Sequence, residues 1–263
     1  MDRSRILRRL LPWGVPALLV IAWQVSASAG LLSSRILPSP LASFQALVEL
    51  ARTGELWKHL GASALRAASG FCVGGAIGLA LGMLTGTSRT AELALDTTIQ
   101  MVRNIPALAM VPLVILWFGI DEEAKLFLIA TGVFFPVYLN TYAGIRNVDP
   151  GLVEMARSYG VKGLPLYRDV ILPGALPSIL VGVRFSLGFM WVTLIVAETV
   201  SASSGIGYMT MNAREFLQTD IVLVGILLYA LLGKLADLLA RGLERVLLPW
   251  RAAGGGAEAL HGI

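Results

Sequence analysis

The chain has 263 residues, of which 56% are hydrophobic and only 14% charged, and its formal net charge is +4. Soluble domains carry about 25% charged residues, so a water-soluble fold is excluded and an integral membrane protein is implied. The apolar runs are continuous rather than alternating, which favours spanning helices over a β-barrel.

In chain order, Arg3, Arg5, Arg8 and Arg9 precede a first apolar segment, residues 10–29. Ala27-Ser28-Ala29 resembles a signal-peptidase site, so a cleaved leader is the rival to a retained first span. Either reading leaves residue 30 outside. In residues 30–66, Ser39-Pro40 can start an amphipathic helix with Leu41, Phe44, Leu47, Val48 and Ala51 on one face. The second span, 67–88, carries Gly70, Gly74, Gly78, Gly82 and Gly86 in one i, i+4 register. Such a ridge lets another backbone approach closely. Packing within the bundle is preferred over contact with a second copy.

The third span, 104–120, continues upstream into 97–102 and holds Pro106 and Pro112, each of which favours a kink, either a structural one or, where a watery cavity covers the broken helix, one that belongs to a pathway. Asp121-Glu122-Glu123 is a turn, and the fourth span is 126–145. A polar, basic island follows, residues 146–173. Asp149 can cap a helix with Pro150 at its first position. That helix runs through Glu154 and Ala156 to Gly160, where a left-handed residue stops it. A second short helix is predicted to start at Pro165 and end before Pro173. The fifth span, about 174–197, is interrupted by Arg184, roughly 16 Å along the helix from Pro173. An arginine at that depth either faces an anion pathway or is snorkelled or paired. Glu198 is expected at the outer end of this span, in the interface. Residues 198–220 form a polar connection. The sixth span starts near Ile221 and passes Lys234, Asp237 and Arg241, which read as an ion-pair ladder. Residues 250–263, with Gly254-Gly255-Gly256, read as a disordered tail. Residues 1–263 are expected to form a single transmembrane domain, with its core at 10–248.

With six spans both termini lie on one side. Arg3, Arg5, Arg8, Arg9, Arg89, Arg146, Arg157, Lys162, Arg168, Arg241, Arg245 and Arg251 fall there, against Arg35, Arg52, Lys58, Arg66, Lys125 and Arg214 opposite. Twelve against six places the termini and the 146–173 island in the cytoplasm. The positive charge is therefore a topology signal, not a nucleic-acid footprint. Cys72 is the one cysteine, and His59 and His261 are far apart in sequence. No intrachain disulfide or metal-ligand spacing results. No phosphate-binding loop is present, so ATP use falls to another chain.

Glu154-Met155-Ala156, then Gly160, then Val170-Ile171-Leu172-Pro173 resembles the EAA loop of bacterial ABC-importer permeases, with Met155 in place of the usual alanine. The likeness extends over residues 11–248 through Arg35-Ile36-Leu37-Pro38-Ser39-Pro40, Asn104-Ile105-Pro106, residues 114–120 and residues 204–220. It is similar to the group serving aliphatic sulfonates, taurine, nitrate and pyrimidine precursors, and most of all to the sulfonate permeases.

The resemblance implies an all-α, multi-pass protein of the type I permease fold with about six transmembrane helices in the bacterial inner membrane. Two permease copies would form a pore, two ATPase subunits would bind the loops along with ATP and magnesium, and a periplasmic binding protein would deliver substrate. Glu154, Met155, Ala156, Arg157, Gly160, Leu172 and Pro173 would form the coupling loop, and Arg184 is a candidate for the translocation pathway. Glu198 could alternatively touch the binding protein. The permease itself would catalyse no covalent chemistry and hold no cofactor or metal. An ion-coupled carrier would instead need inverted repeats and mid-span carboxylates. A membrane-embedded enzyme would need a nucleophile–base or metal-ligand set.

Overall fold

The computed structural model describes residues 3–34 and 36–249, so Arg35, Arg251 and the predicted 250–263 tail lie outside the described residues. Among the described residues helices account for every regular element: α1 (Arg3–Ser28), α2 (Pro40–Thr53), α3 (Glu55–Thr87), α4 (Arg89–Arg103), α5 (Ala107–Phe118), α6 (Glu122–Arg146), α7 (Pro150–Ser158), α8 (Leu164–Leu166), α9 (Leu172–Ser201), α10 (Ile206–Glu215) and α11 (Thr219–Leu247). Four helical stretches are long and apolar enough to cross a bilayer: α3, the continuous helix Leu164–Val200, α6 and α11. Gly14–Ser28 and Ala109–Phe118 are shorter apolar helices. These six segments overlap the six predicted spans, the third only in part.

The chain forms two compact units, Met1–Ala62 with Ser203–Tyr229, and Ser63–Ala202 with Ala230–Ile263. In the first, Ser39 caps α2 by accepting from the Ala42 amide at 3.1 Å, with Pro40 at the first position as expected. Gln24 of α1 accepts the Leu41 amide, also at 3.1 Å, which ties α2 to α1. His59 is buried and accepts the Gly205 amide through Nδ1 at 3.1 Å, holding the start of α10.

The second unit is built around α6. The glycine ridge of α3 lies against it along its whole length, which settles the choice in favour of packing within the chain. A Cβ on Gly78 would stand 2.7 Å from the Phe134 carbonyl oxygen, and one on Gly86 2.9 Å from Ile145 Cβ. At Gly70, Gly74 and Gly82 it would run into Ile129, Ala130 and Thr141. Lipid chains are as apolar as leucine, so close backbone approach and dense packing hold helices together in a membrane. The same device joins α6 to α9, where Gly132 faces Thr193, Gly144 faces Ser178 and Gly182 faces Asn140. Ile129, Val133, Val137, Met190 and Leu194 fill the seam between them. Val111 and Val114 of α5 pack beside Ala124 and Leu128.

The third span departs from expectation. It is not a helix kinked at Pro106 but two helices, α4 and α5, broken at 104–106. Pro106 sits in extended geometry (φ −61°, ψ 127°) at the cap of α5. Its ring disfavours helical geometry at Ile105, and its nitrogen carries no hydrogen to continue the ladder. Pro112 stays inside α5.

Candidate functional site

The polar island forms the helical loop that its residues predict. Asp149 accepts the Gly151 amide at 2.8 Å with Pro150 at the first position. At the other end Gly160 has φ +81°. Its N–H donates to the Arg157 carbonyl and that of Val161 donates to the Ala156 carbonyl, both at 3.0 Å. This pair of bonds is the Schellman closure. A Cβ at Gly160 would meet nothing within 4 Å, so the glycine is required for its backbone angle rather than for space.

Beyond Gly163 (φ +63°) the chain turns into α8. The second loop helix does not end before Pro173, as the sequence reading expected. It passes through a π-turn, Tyr167–Ile171, and runs directly into α9. The Leu172 N–H donates to the Tyr167 carbonyl, five residues back. The wider turn makes room for the Pro173 ring, which would otherwise clash with the carbonyl four residues before it. Leu172-Pro173 thus marks the start of α9 and not a break in it.

Within the loop the motif residues do different things. Ala156 is buried at 7% exposure and Leu166 at 6%, holding the loop against itself. Leu152, Glu154, Met155, Arg157, Tyr159 and Leu164 stand outward. Met155, the departure from the family pattern, is therefore on the outer surface. It enlarges an apolar face made with Leu152 and Tyr159 and leaves the interior undisturbed.

The loop root is tied to α4. Glu92 accepts the Tyr142 hydroxyl at 2.6 Å and Arg89 Nη1 at 2.8 Å, and pairs with Arg146, the last residue of α6. Arg146, then Tyr142, hold the Glu92 carboxyl down at about 2. One turn further along α4, Asp96 accepts the Tyr138 hydroxyl at 3.0 Å.

A cavity of ≈ 500 Å³ opens at the 104–106 break, bordered by Arg103, Pro106, Thr131, Asn140, Phe185 and Phe189 among others. Arg184, for which the sequence left both a pathway and an ion pair open, forms the pair. Its Nη2 lies 2.8 Å and its Nε 2.9 Å from Asp237 Oδ1. Asp237 also accepts Arg241 Nε at 2.9 Å, with Lys234 at 3.8 Å. The predicted ladder on α11 is therefore joined by α9. Arg184 also borders a second cavity of ≈ 450 Å³ with Phe185, Gly188 and Gly233.

Glu198 is a correction. It lies in the last turn of α9, as expected, but is turned into the protein and only 1% exposed. It accepts the Ser63 hydroxyl at 2.8 Å and Arg66 Nη1 at 3.0 Å. Arg66 in turn makes a fork to Glu122, with Nε and Nη2 each at 2.7 Å, and Lys125 donates to Glu122 at 3.0 Å. This charged cluster closes the end of α6 remote from the loop. Its signal in the sequence was a charge at each margin of three apolar runs, which helix-end placement explains equally well. Among the described residues no cluster of three or more His, Cys, Asp or Glu is arranged to hold a metal ion.

The comparisons with known proteins agree with this architecture. Residues 76–248 match the family described as binding-protein-dependent transport system inner membrane component. The putative aliphatic sulfonates transport permease protein SsuC of Escherichia coli (strain K12) is 63% identical over 94% of each chain. The protein of the same description from Bacillus subtilis (strain 168) is 50% identical over 90% of this chain and 86% of its own. The taurine transport system permease protein TauC of Escherichia coli (strain K12) is 38% identical over 90% and 88%. Among solved structures, an amino acid ABC transporter matches 74% of this chain and 97% of its own at a TM-score of 0.59 and 21% identity. The inward-facing MetNI methionine ABC transporter matches 72% and 94% at 0.51 and 19% identity, and both likenesses concern the fold. The chain therefore belongs to the binding-protein-dependent transport system inner membrane components, the multi-pass permeases of ABC importers.

Proposed function

We propose that this chain is the permease subunit of an ATP-driven importer of aliphatic sulfonates, working as one transmembrane domain with both termini and the 146–173 loop in the cytoplasm. The observation that carries the substrate is the 63% identity over 94% of both chains with the sulfonate permease of Escherichia coli. The lower likeness to the taurine permease makes taurine the rival substrate. The coupling is supported by the loop's form. Glu154, Met155 and Arg157 stand outward beside the exposed Leu152 and Tyr159, on a helix that Ala156 and Gly160 hold in shape. A rigid amphipathic helix end of this kind docks into a groove on a partner, here an ATPase subunit that binds ATP and magnesium. Leu172 and Pro173 carry its motion into α9. Two permease copies, two ATPase subunits and a periplasmic binding protein complete the assembly.

The test is uptake of a labelled alkanesulfonate by cells with and without this chain, before and after ATP depletion. Loss in both conditions is expected. Unchanged uptake in the deletion would move the substrate to taurine or another relative's anion. Uptake that needs the chain but follows the proton gradient after ATP depletion would overturn ATP coupling.

A further inference from the structure

The cavity at the break between α4 and α5 contains an arginine that the fold does not use. Arg103 makes no ion pair or hydrogen bond among the described residues, and it is exposed in the single chain. Five carboxylates of the same unit are engaged elsewhere: Glu92 with Arg146, Asp96 with Tyr138, Glu122 and Glu198 with Arg66, and Asp237 with Arg184. No carboxylate lines the cavity. Its depth is given by its other wall, Thr131 to Asn140, the middle of α6 (Glu122–Arg146). A guanidinium there cannot shed its proton, and facing lipid it would be costly. A permanently charged group that its own chain leaves without a counter-charge is available to an anion from outside the chain.

The rest of the wall sets what kind of anion. Phe135, Val181, Phe185 and Phe189 line the same cavity as Arg103 and give it an aromatic and aliphatic surface. Asn140 gives one amide N–H to the Pro136 carbonyl at 2.9 Å and keeps the other for a ligand oxygen. Pro106 and Ala107 also border the cavity, and α5 begins there with no side-chain cap on its first amides. The volume of ≈ 500 Å³ lies within the range of small-molecule sites, about 300–1,000 Å³.

We infer that this cavity is a substrate site within the membrane, taking a small organic anion with an alkyl tail, its head at Arg103 and Asn140 and its tail along Phe135, Phe185 and Phe189. The inference rests on the sulfonate-importer reading and adds to it a place where the permease itself contacts the cargo. Selection is then shared between the delivering protein and the membrane chain, by charge at one end of the cavity and by chain length at the other.

The experiment uses the complete complex with its ATPase in nanodiscs, without binding protein, and measures equilibrium binding of labelled ethane-, butane- and hexanesulfonate. The same complex with binding protein in proteoliposomes gives uptake. The wild type is expected to bind, with affinity rising about fourfold per added methylene. Arg103→Gln should assemble with the ATPase and lose about tenfold or more in binding and uptake, with Arg103→Lys partly restoring both. Phe185→Ala and Phe189→Ala should flatten the chain-length dependence while keeping ethanesulfonate, which preserves a test if Arg103→Gln fails to assemble. Wild-type transport with Arg103→Gln at full strength and an unaltered chain-length profile would overturn the site and leave the sulfonate reading standing. Failure of the wild-type complex to move any alkanesulfonate would overturn the reading itself, and the site with it. Binding that vanishes for every sulfonate, with an uptake defect that tracks anionic lipid content, would assign the cavity to a lipid headgroup and overturn the proposal.

Discussion

The two sides of α6 are built to opposite purposes. On one, Gly70 to Gly86 of α3 bring two backbones into contact and leave no space for a methyl group. On the other, a proline-broken helix and large aromatic side chains hold open a cavity of ≈ 500 Å³. Small residues make a seam that resists sliding, because any shift drives carbonyl into side chain. Proline and phenylalanine make room, because one stops the helix and the others cannot close over the gap. A transporter needs both a fixed frame and a surface that can open, and here one helix carries the two.

The sharpest way to break the contrast is to place a side chain in the seam. Gly78→Val should abolish accumulation in the membrane, since its Cβ would stand 2.7 Å from a carbonyl oxygen. Gly188→Ala, with nothing within 4 Å, should leave abundance unchanged. Quantitative blotting of membranes reads both, and equal behaviour would refute the seam. Next comes the charged cluster that pins α3 to α6 and α9. Glu198→Ala leaves Arg66 short of a buried partner, and breaking such a pair costs about 3–5 kcal/mol. Thermal unfolding in detergent should fall markedly, whereas an unchanged midpoint would show that Glu122 alone satisfies Arg66.

A smaller effect is expected at the loop. Gly160→Val imposes a left-handed angle on a β-branched residue, worth about 1–3 kcal/mol of local strain. The protein should still reach the membrane but retain less ATPase on co-purification, and undiminished retention would remove the loop's role in docking. Arg184→Gln is milder still, because Asp237 keeps Arg241 and Lys234. Membrane abundance should hold, while sulfonate uptake should fall by less than in Arg103→Gln. A fall in abundance would make Arg184 purely structural. The smallest effect is that of pH on the Glu92 network. Its carboxyl is held at about 2, below the usual 4.5. A depressed carboxylate contributes its full stability above 4.5 and loses it as pH falls towards 2. Glu92→Gln should therefore flatten that acid limb of the unfolding curve, and an unaltered limb would assign it to other carboxylates.

Much of this was legible beforehand. Asp149, Pro150 and Gly160 announce α7 through local chemistry that the surroundings do not override. The glycine register told of a close approach, though not that α6 would be its partner, since a seam within a chain and one between chains have the same composition. What was hidden depended on tertiary pairing. Glu198 looked like a helix end in the interface, because nothing local reveals that Ser63 and Arg66, more than a hundred residues away, converge on it. Pro106 read as a kink, because a kink and a full break differ only in whether neighbours support the freed backbone. The missing stop at Pro173 was hidden for a related reason. A π-turn has no composition of its own, so its extra residue is visible only once the chain is folded.

That π-turn has a mechanical consequence. Because it joins the loop to α9 without a break in the helix, Leu164–Val200 is one continuous rod of 37 residues, about 55 Å long at the helical rise. A displacement applied at the loop end is carried along this rod as a lever is, rather than absorbed at a joint. The residue added by the wider turn also sets the azimuth of everything on either side of it. Removing one residue between Tyr167 and Ile171 would keep the rod intact yet rotate the loop by roughly 100° about its axis. The loop would then offer its partner the wrong face.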